Sequence, residues 1–86
     1  MIIRFHRNFK KQSRKLKAGE RFRLKERLEL FLADIFNPIL NNHPLKGKYT
    51  GYRSINIGGD LRAVYKQDEK DTAIFVTIDS HSNLYR

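Results

Sequence analysis

The sequence predicts an α+β fold, two N-terminal helices packed on a small antiparallel sheet in the order β-α-α-β-β-β. Three observations predict it. Apolar residues recur at helical spacing across residues 24–35, three strand-like runs follow one another in the C-terminal third, and the separators between those runs are short. The 86 residues suffice for one domain, 1–86. A chain of this size buries only a little more than ~60% of its unfolded surface, so its stability is expected to be modest.

Ile2, Ile3, Arg4 and Phe5 read as a short strand because they are β-branched and aromatic. From residue 6 to 17 the apolar anchors are sparse, Phe9 and Leu16 with Ser13 between them, which predicts a helix with a narrow buried stripe and a broad basic face. Ala18 and Gly19 form a hinge. The second helix carries Leu24, Leu28, Phe31, Leu32 and Ile35 at spacings of three and four. Asn37-Pro38 stops it, since proline disfavours helical backbone at the residue before it. Residues 39–51 are punctuated by Asn41, Asn42, Pro44 and Gly47, so they read as a loop with at most a short extended piece, and as a place where chemistry can sit.

Strands are expected at residues 52–57, 61–66 and 72–79, joined as an antiparallel meander. In the last of them Ile74, Val76 and Ile78 alternate with Ala73, Phe75 and Thr77. The first strand must return to this sheet to bury its apolar side chains. The sheet face away from the helices is then expected to be partly open, a natural seat for nucleic acid.

Charge is the most informative part of the composition. Eighteen Lys and Arg against nine Asp and Glu give +9 and a pI near 10.2. Residues 1–27 hold eleven of the basic residues and only two acids, Glu20 and Glu26, whereas the rest of the chain balances at seven against seven. Such one-sided excess marks a protein that meets a polyanion in a salt-sensitive manner; the plainer reading is a solvated basic helix face. There is no Cys, which excludes disulfides and thiolate metal sites. No apolar run approaches the ~18 residues of a membrane span, and charge instead of an apolar stretch follows Met1, so we expect no signal peptide, no membrane partner and a cytoplasmic protein.

Three stretches carry a family likeness: His43-Pro44-Leu45-Lys46-Gly47; then Gly51-Tyr52-Arg53-Ser54 running on to Gly59-Asp60-Leu61-Arg62-Ala63-Val64-Tyr65; and His81-Ser82-Asn83-Leu84-Tyr85. In that order, after two helices, the chain resembles the RelE and ParE superfamily of toxins, and within it the group related to YafQ. The resemblance implies a RelE-like fold and cleavage of messenger RNA on the ribosome with neither metal nor other cofactor. It also implies translation inhibition relieved by a cognate antitoxin in a type II toxin–antitoxin system. His43 matches the loop histidine of YafQ-like toxins, Asp60 their acid in the strand turn, His81 the histidine near the C-terminus, and Tyr85 the aromatic residue that closes the site. Arg62 and Arg53 match basic positions of the superfamily. The chain departs from the pattern at Asn56, where YafQ-like proteins carry another histidine, and at Leu61, which replaces a tryptophan.

Metal-independent RNA cleavage needs a base for the ribose 2′-hydroxyl, stabilisation of charge on the phosphate, and an acid for the leaving 5′-oxygen. Imidazole suits proton transfer because its ordinary pKa, ~6.5, lies near neutrality. His81 is the expected principal acid or base, with Asp60 as the second proton-transfer group or an orienting one, and His43 as a further catalytic candidate. Arg62 would stabilise the transition state through its planar fork, and Tyr85 would stack on a base or donate a hydrogen bond. Arg53, Lys46 and Lys48, with Lys10, Lys11 and Arg14 of the first helix, are expected to contact RNA. Each has a plainer reading: His81 as a surface histidine, His43 as a loop organiser before Pro44, Asp60 as a turn former after two glycines, Arg62 as a strand-edge charge. Tyr65 is expected to pack in the sheet, and His6 to serve structure. His43, Asp60 and His81 are metal-ligand types, but they sit on separate loops in a positive environment, which opposes a cation.

Two other functions fit the same fold, a ParE-type inhibitor of DNA gyrase and a catalytically degenerate RNA-binding module. The expected partner, beside ribosome and message, is an acidic, partly disordered antitoxin segment that folds across the basic helices. The chain alone is then a monomer and the complex a hetero-oligomer.

Overall fold

The computed structural model describes residues 1–84. β1 (Ile2–Phe5) leads into α1 (Arg7–Arg14) and α2 (Ala18–Ala33). The chain returns through β2 (His43–Pro44), β3 (Arg53–Gly58), β4 (Leu61–Glu69) and β5 (Thr72–Ser80), and α3 (His81–Leu84) follows. Two 3₁₀ turns, Pro38–Leu40 and Gly47–Tyr49, flank β2. The strands form one sheet in the order β1-β5-β4-β3-β2, with β1 parallel to β5 and the remaining pairs antiparallel. Among the described residues no helix is long and apolar enough to cross a membrane.

Local chemistry sets the element ends. His6 caps α1, its Nδ1 accepting from the Asn8 N–H at 3.1 Å. Glu20 reaches back to the Lys17 N–H at 2.9 Å and fixes the start of α2. The second helix stops at Ala33, short of the predicted Ile35, because Asp34 adopts extended backbone (φ −160) and its carboxylate accepts from the Phe36 N–H. The expected loop contributes β2 at the sheet edge, where Pro44 has no N–H to lose. β4 and β5 run further than predicted, so that only Lys70 and Asp71 remain in their turn.

The main core lies between the helices and one sheet face. Phe9, Leu24 and Phe31 pack on Ile55, Tyr65 and Phe75. The Phe31 ring meets Tyr65 and Phe75 edge-on, at 4.9 and 5.3 Å, the arrangement that aromatic quadrupoles favour. Tyr65 is buried in the sheet, as its position in the strand predicted, and its hydroxyl accepts from Asn42 Nδ2 at 2.8 Å. The alternation expected for β5 is broken. Val64 pairs with Thr77 but Tyr65 pairs with Phe75, a bulge that moves Ile78 into the core with Ala73 and Phe75 and leaves Val76 on the other face.

β1 covers the outer edge of β5 only as far as Phe75. Beyond it α1 takes over: Gln12 Oε1 accepts from the Ile78 N–H at 2.7 Å, and Gln12 Nε2 donates to Thr77 Oγ1 at 3.0 Å. A helix side chain thus replaces the missing strand and protects the edge. The second sheet face is only partly open, because Leu45, Val64 and Leu84 bury one another there, joined by Tyr49, Tyr52 and Val76.

Candidate active site

The β4–β5 hairpin builds the site at the end of the sheet opposite the Lys70–Asp71 turn. Its register sets Leu61 opposite Ser80 and Arg62 opposite Asp79, and the Asp60 carbonyl accepts from the His81 N–H at 2.8 Å. The backbones of Asp60, Arg62 and His81 therefore meet at one end of the hairpin. The preceding turn depends on glycine, since Gly58 and Gly59 have φ +133 and +56. Asn56, in the position where the sequence departs from the histidine pattern, ties this turn together: its Oδ1 accepts from the Gly58 N–H at 2.9 Å and from Arg62 Nη1 at 3.2 Å.

Arg62 is fixed through one nitrogen. Nη1 also donates to the Gly59 carbonyl at 3.0 Å and the Leu61 carbonyl at 2.9 Å, whereas Nη2 has no hydrogen bond among the described residues and Nε is buried without a partner. The Arg62 guanidinium is thus pinned through Nη1 alone. The carbonyls that anchor Arg62 Nη1 and the His81 N–H belong to consecutive residues, Gly59 and Asp60, whose Cα atoms lie about 3.8 Å apart.

Beside this point lies a cleft of about 530 Å³ lined by Lys46, Lys48, Asp79, Asn83 and Leu84. Burial of Leu84 against Leu45 and Val64 folds α3 onto the second sheet face. The turn at Gly47, with φ +66, brings in the two lysines. Asp79 organises the wall, its Oδ1 accepting from the Ser80 N–H at 2.8 Å and from Asn83 Nδ2 at 2.9 Å. Asp79 and Asn83 are not among the site residues expected from the sequence. The available signal was an acid at the end of the last strand, directly across the hairpin from an arginine.

The other expected residues are distributed differently. His43 pairs with Ser54 on β2, three interstrand spacings from β5, roughly 14 Å. Its Nδ1 lies 2.7 Å from the Asn41 carbonyl, which can only accept, so the proton sits on Nδ1. Arg53, expected to contact RNA, turns to the helix side. Its register partner is Tyr65, its Nε donates to Asn42 Oδ1 at 2.7 Å, and its guanidinium lies 5.4 Å over the Phe36 ring, so it braces the segment after α2. Lys10 and Arg14 likewise line apolar grooves between the helices and β1, away from the cleft, because α1 presents Gln12 to β5. Lys11 is exposed on α1. Tyr85 lies outside the described residues. Among the described residues no three His, Asp or Glu side chains gather as a metal-ligand set.

Comparison with known proteins adds the family. The whole chain, residues 1–86, matches the model for the bacterial toxin of type II toxin–antitoxin system, YafQ. No curated protein sequence matches it. Among solved structures it is similar to the YoeB/ParE toxin from Agrobacterium tumefaciens, with 18% identity over 94% of this chain and 99% of that one and a TM-score of 0.76. It is also similar to YafQ from E. coli strain BL21(DE3), at 22% identity over 98% and 97% of the two chains and a TM-score of 0.70. A chain of the E. coli DinJ–YafQ complex gives 23% identity, 98% and 97% coverage and a TM-score of 0.67. At these identities the structural likeness is one of fold, a mixed α+β domain with helices on a five-stranded sheet.

Proposed function

Because this chain belongs to the YafQ family of type II toxin–antitoxin toxins, we propose that it is an endoribonuclease that cuts messenger RNA on the ribosome, without a metal, and so stops translation. The observation that carries the reading is the end of the β4–β5 hairpin, where a guanidinium held through Nη1, its Nη2 without a hydrogen bond among the described residues, stands one peptide from the residue that anchors His81. In this mechanism the RNA 2′-oxygen gives up its proton and attacks the adjacent phosphorus. The P–O2′ bond forms, the P–O5′ bond breaks, and the 5′-oxygen takes a proton. Products are a 2′,3′-cyclic phosphate and a 5′-hydroxyl.

His81 is the principal proton-transfer group and Asp60 its neighbour for the opposite end of the reaction; positioned proton transfer is worth ~10²- to 10⁴-fold. Arg62 meets the charge that grows on the phosphate oxygens, a contribution of ~10²- to 10³-fold for a fixed donor. Lys46 and Lys48 hold the flanking phosphates.

The regulating partner in this reading is an acidic antitoxin. The groove of about 480 Å³ between α1, α2 and β1 offers Ile3, Phe5, Leu28 and Leu32 to an apolar face, with Arg14 and Lys25 at its rim for carboxylates. Lys10 and Arg14 then serve the antitoxin instead of the transcript.

The test adds purified protein to a translating system and follows the message by primer extension, with a DNA supercoiling assay in parallel. Cleavage within the coding region, with gyrase unaffected, is the expected result. Intact message together with inhibited supercoiling would overturn the reading in favour of a gyrase-directed toxin; intact message and unaffected gyrase would leave only a degenerate module.

A further inference from the structure

The lysine-lined cleft does not end at Lys48. The same side chain borders a second cleft, of about 330 Å³, walled by His6, Asn8, Tyr49, Tyr52 and Thr77. The mechanism above uses none of these five. The two tyrosine rings are half-buried and meet edge to face, with centroids 6.0 Å apart and planes at 79°. Cations lie over both: Lys48 Nζ is 5.3 Å from the Tyr49 centroid, and Lys66 Nζ is 5.9 Å from that of Tyr52. Both lysines are exposed. An exposed ammonium holds a ring face weakly, and a nucleobase stacks on it more strongly, so a base can displace the cation and leave it free to meet a phosphate.

The opposite wall supplies polar recognition. His6 Nδ1 accepts from the Asn8 N–H, which puts the proton of the neutral ring on Nε2, a donor. The Asn8 carboxamide is exposed, has no hydrogen bond among the described residues, and offers one acceptor and two donor positions. Aromatic faces, an amide with both polarities and flanking lysines are the set that a splayed-out single-stranded nucleotide requires.

We propose that the cleft between Tyr49, Tyr52 and the start of α1 binds a nucleobase that flanks the scissile linkage. The proposal rests on the RNA-cleaving reading. Thr77, in this cleft, and Asp79, in the first one, lie two residues apart on the same strand, about 7 Å. The base bound here therefore belongs to the transcript engaged by Arg62 but is not the nucleotide being cut. Stacking accepts any base, and the Asn8 carboxamide selects among them.

The experiment uses ribosomes programmed with a message that is 2′-O-methylated across the cleavage region, so that it binds without being cut, and that carries 5-iodouridine at one position at a time. Wild type, Tyr49→Leu, Tyr52→Leu and Tyr52→Phe are titrated and photo-crosslinked. Loss of one stacking ring is expected to weaken binding by roughly 5- to 150-fold. Tyr52→Phe should stay within about twofold of wild type, since the ring and not the hydroxyl carries the contact. Cross-links are expected at Tyr49 or Tyr52. Tight binding by both leucine variants, or cross-links only elsewhere, would overturn the proposal while leaving RNA cleavage standing. If wild type neither binds these ribosomes nor cuts ordinary message, the cleavage reading falls first. If a leucine variant fails to fold, the wild-type cross-link map still decides.

Discussion

Gly58→Ala probes the turn that sets Arg62, and its cost can be worked from two terms. Gly58 has φ +133, a region that side chains rarely enter, and holding alanine there costs ~1–3 kcal/mol. An added Cβ would also stand 2.6 Å from Arg23 Nε and 2.8 Å from its Cδ. Arg23 Nε is buried without a hydrogen-bond partner, so moving it breaks no bond through that atom, and the steric term sits at the low end of overpacking, about 1 kcal/mol. Together they give about 2–4 kcal/mol. For a domain of this size each kcal/mol lowers Tm by ~4–8 °C, so the melt should fall by roughly 8–30 °C. Thermal unfolding followed by circular dichroism measures it. Arg23→Ala in the same chain removes the steric term but not the backbone term, so the double variant should be about 1 kcal/mol more stable than the sum of the single effects. A Gly58→Ala melt within about 3 °C of wild type would refute the backbone argument, and strict additivity would refute the steric one.

Three further outcomes follow from single contacts. Arg62→Lys keeps the charge but loses the fork held by Asn56 and Gly59; single-turnover cleavage should fall by ~10²- to 10³-fold with little change in Tm. Asn42→Ala removes hydrogen bonds to the Ile35 carbonyl, Tyr65 hydroxyl and Arg53 Nε and leaves a buried hydroxyl short of a donor, so urea unfolding should show a loss of ~1–3 kcal/mol. Gln12→Ala uncovers the Ile78 N–H at the edge of β5, and hydrogen exchange at that amide should speed up relative to wild type.

Much of the fold was legible because helices and strands have different apolar periods. Leu24, Leu28 and Phe31 could only sit together on a helix, and the short separators forced a meander. The bulge opposite Val64 was not legible. It depends on how β4 meets β5 and not on either strand alone, which is why Ile78 crossed to the core side against simple alternation. The short extended piece expected in residues 39–51 gave no sign that it pairs with β3, and the early end of α2 was hidden by the Asp34 side chain, whose bond to the backbone outweighs the apolar spacing of Ile35.

At the candidate site the placement of the backbone was readable: Asp60, Arg62 and His81 lie at the ends of adjacent runs, so strand pairing alone brings their backbones together. Basic residues were harder to assign, because charge composition carries no direction. Arg53 shares the parity of Ile55 and Ile57, and that parity sends it to the helix face. Tyr49 and Tyr52 gave no signal, since they face each other only after the 3₁₀ turn between Gly47 and Tyr49 has formed.

The most direct test reads the chemical ends of message cut on translating ribosomes by wild type and by His81→Ala. Attack by the 2′-hydroxyl predicts 5′-hydroxyl and 2′,3′-cyclic phosphate termini, formed ~10²- to 10⁴-fold more slowly by the variant. Termini bearing a 5′-phosphate, or undiminished cutting by His81→Ala, would contradict it.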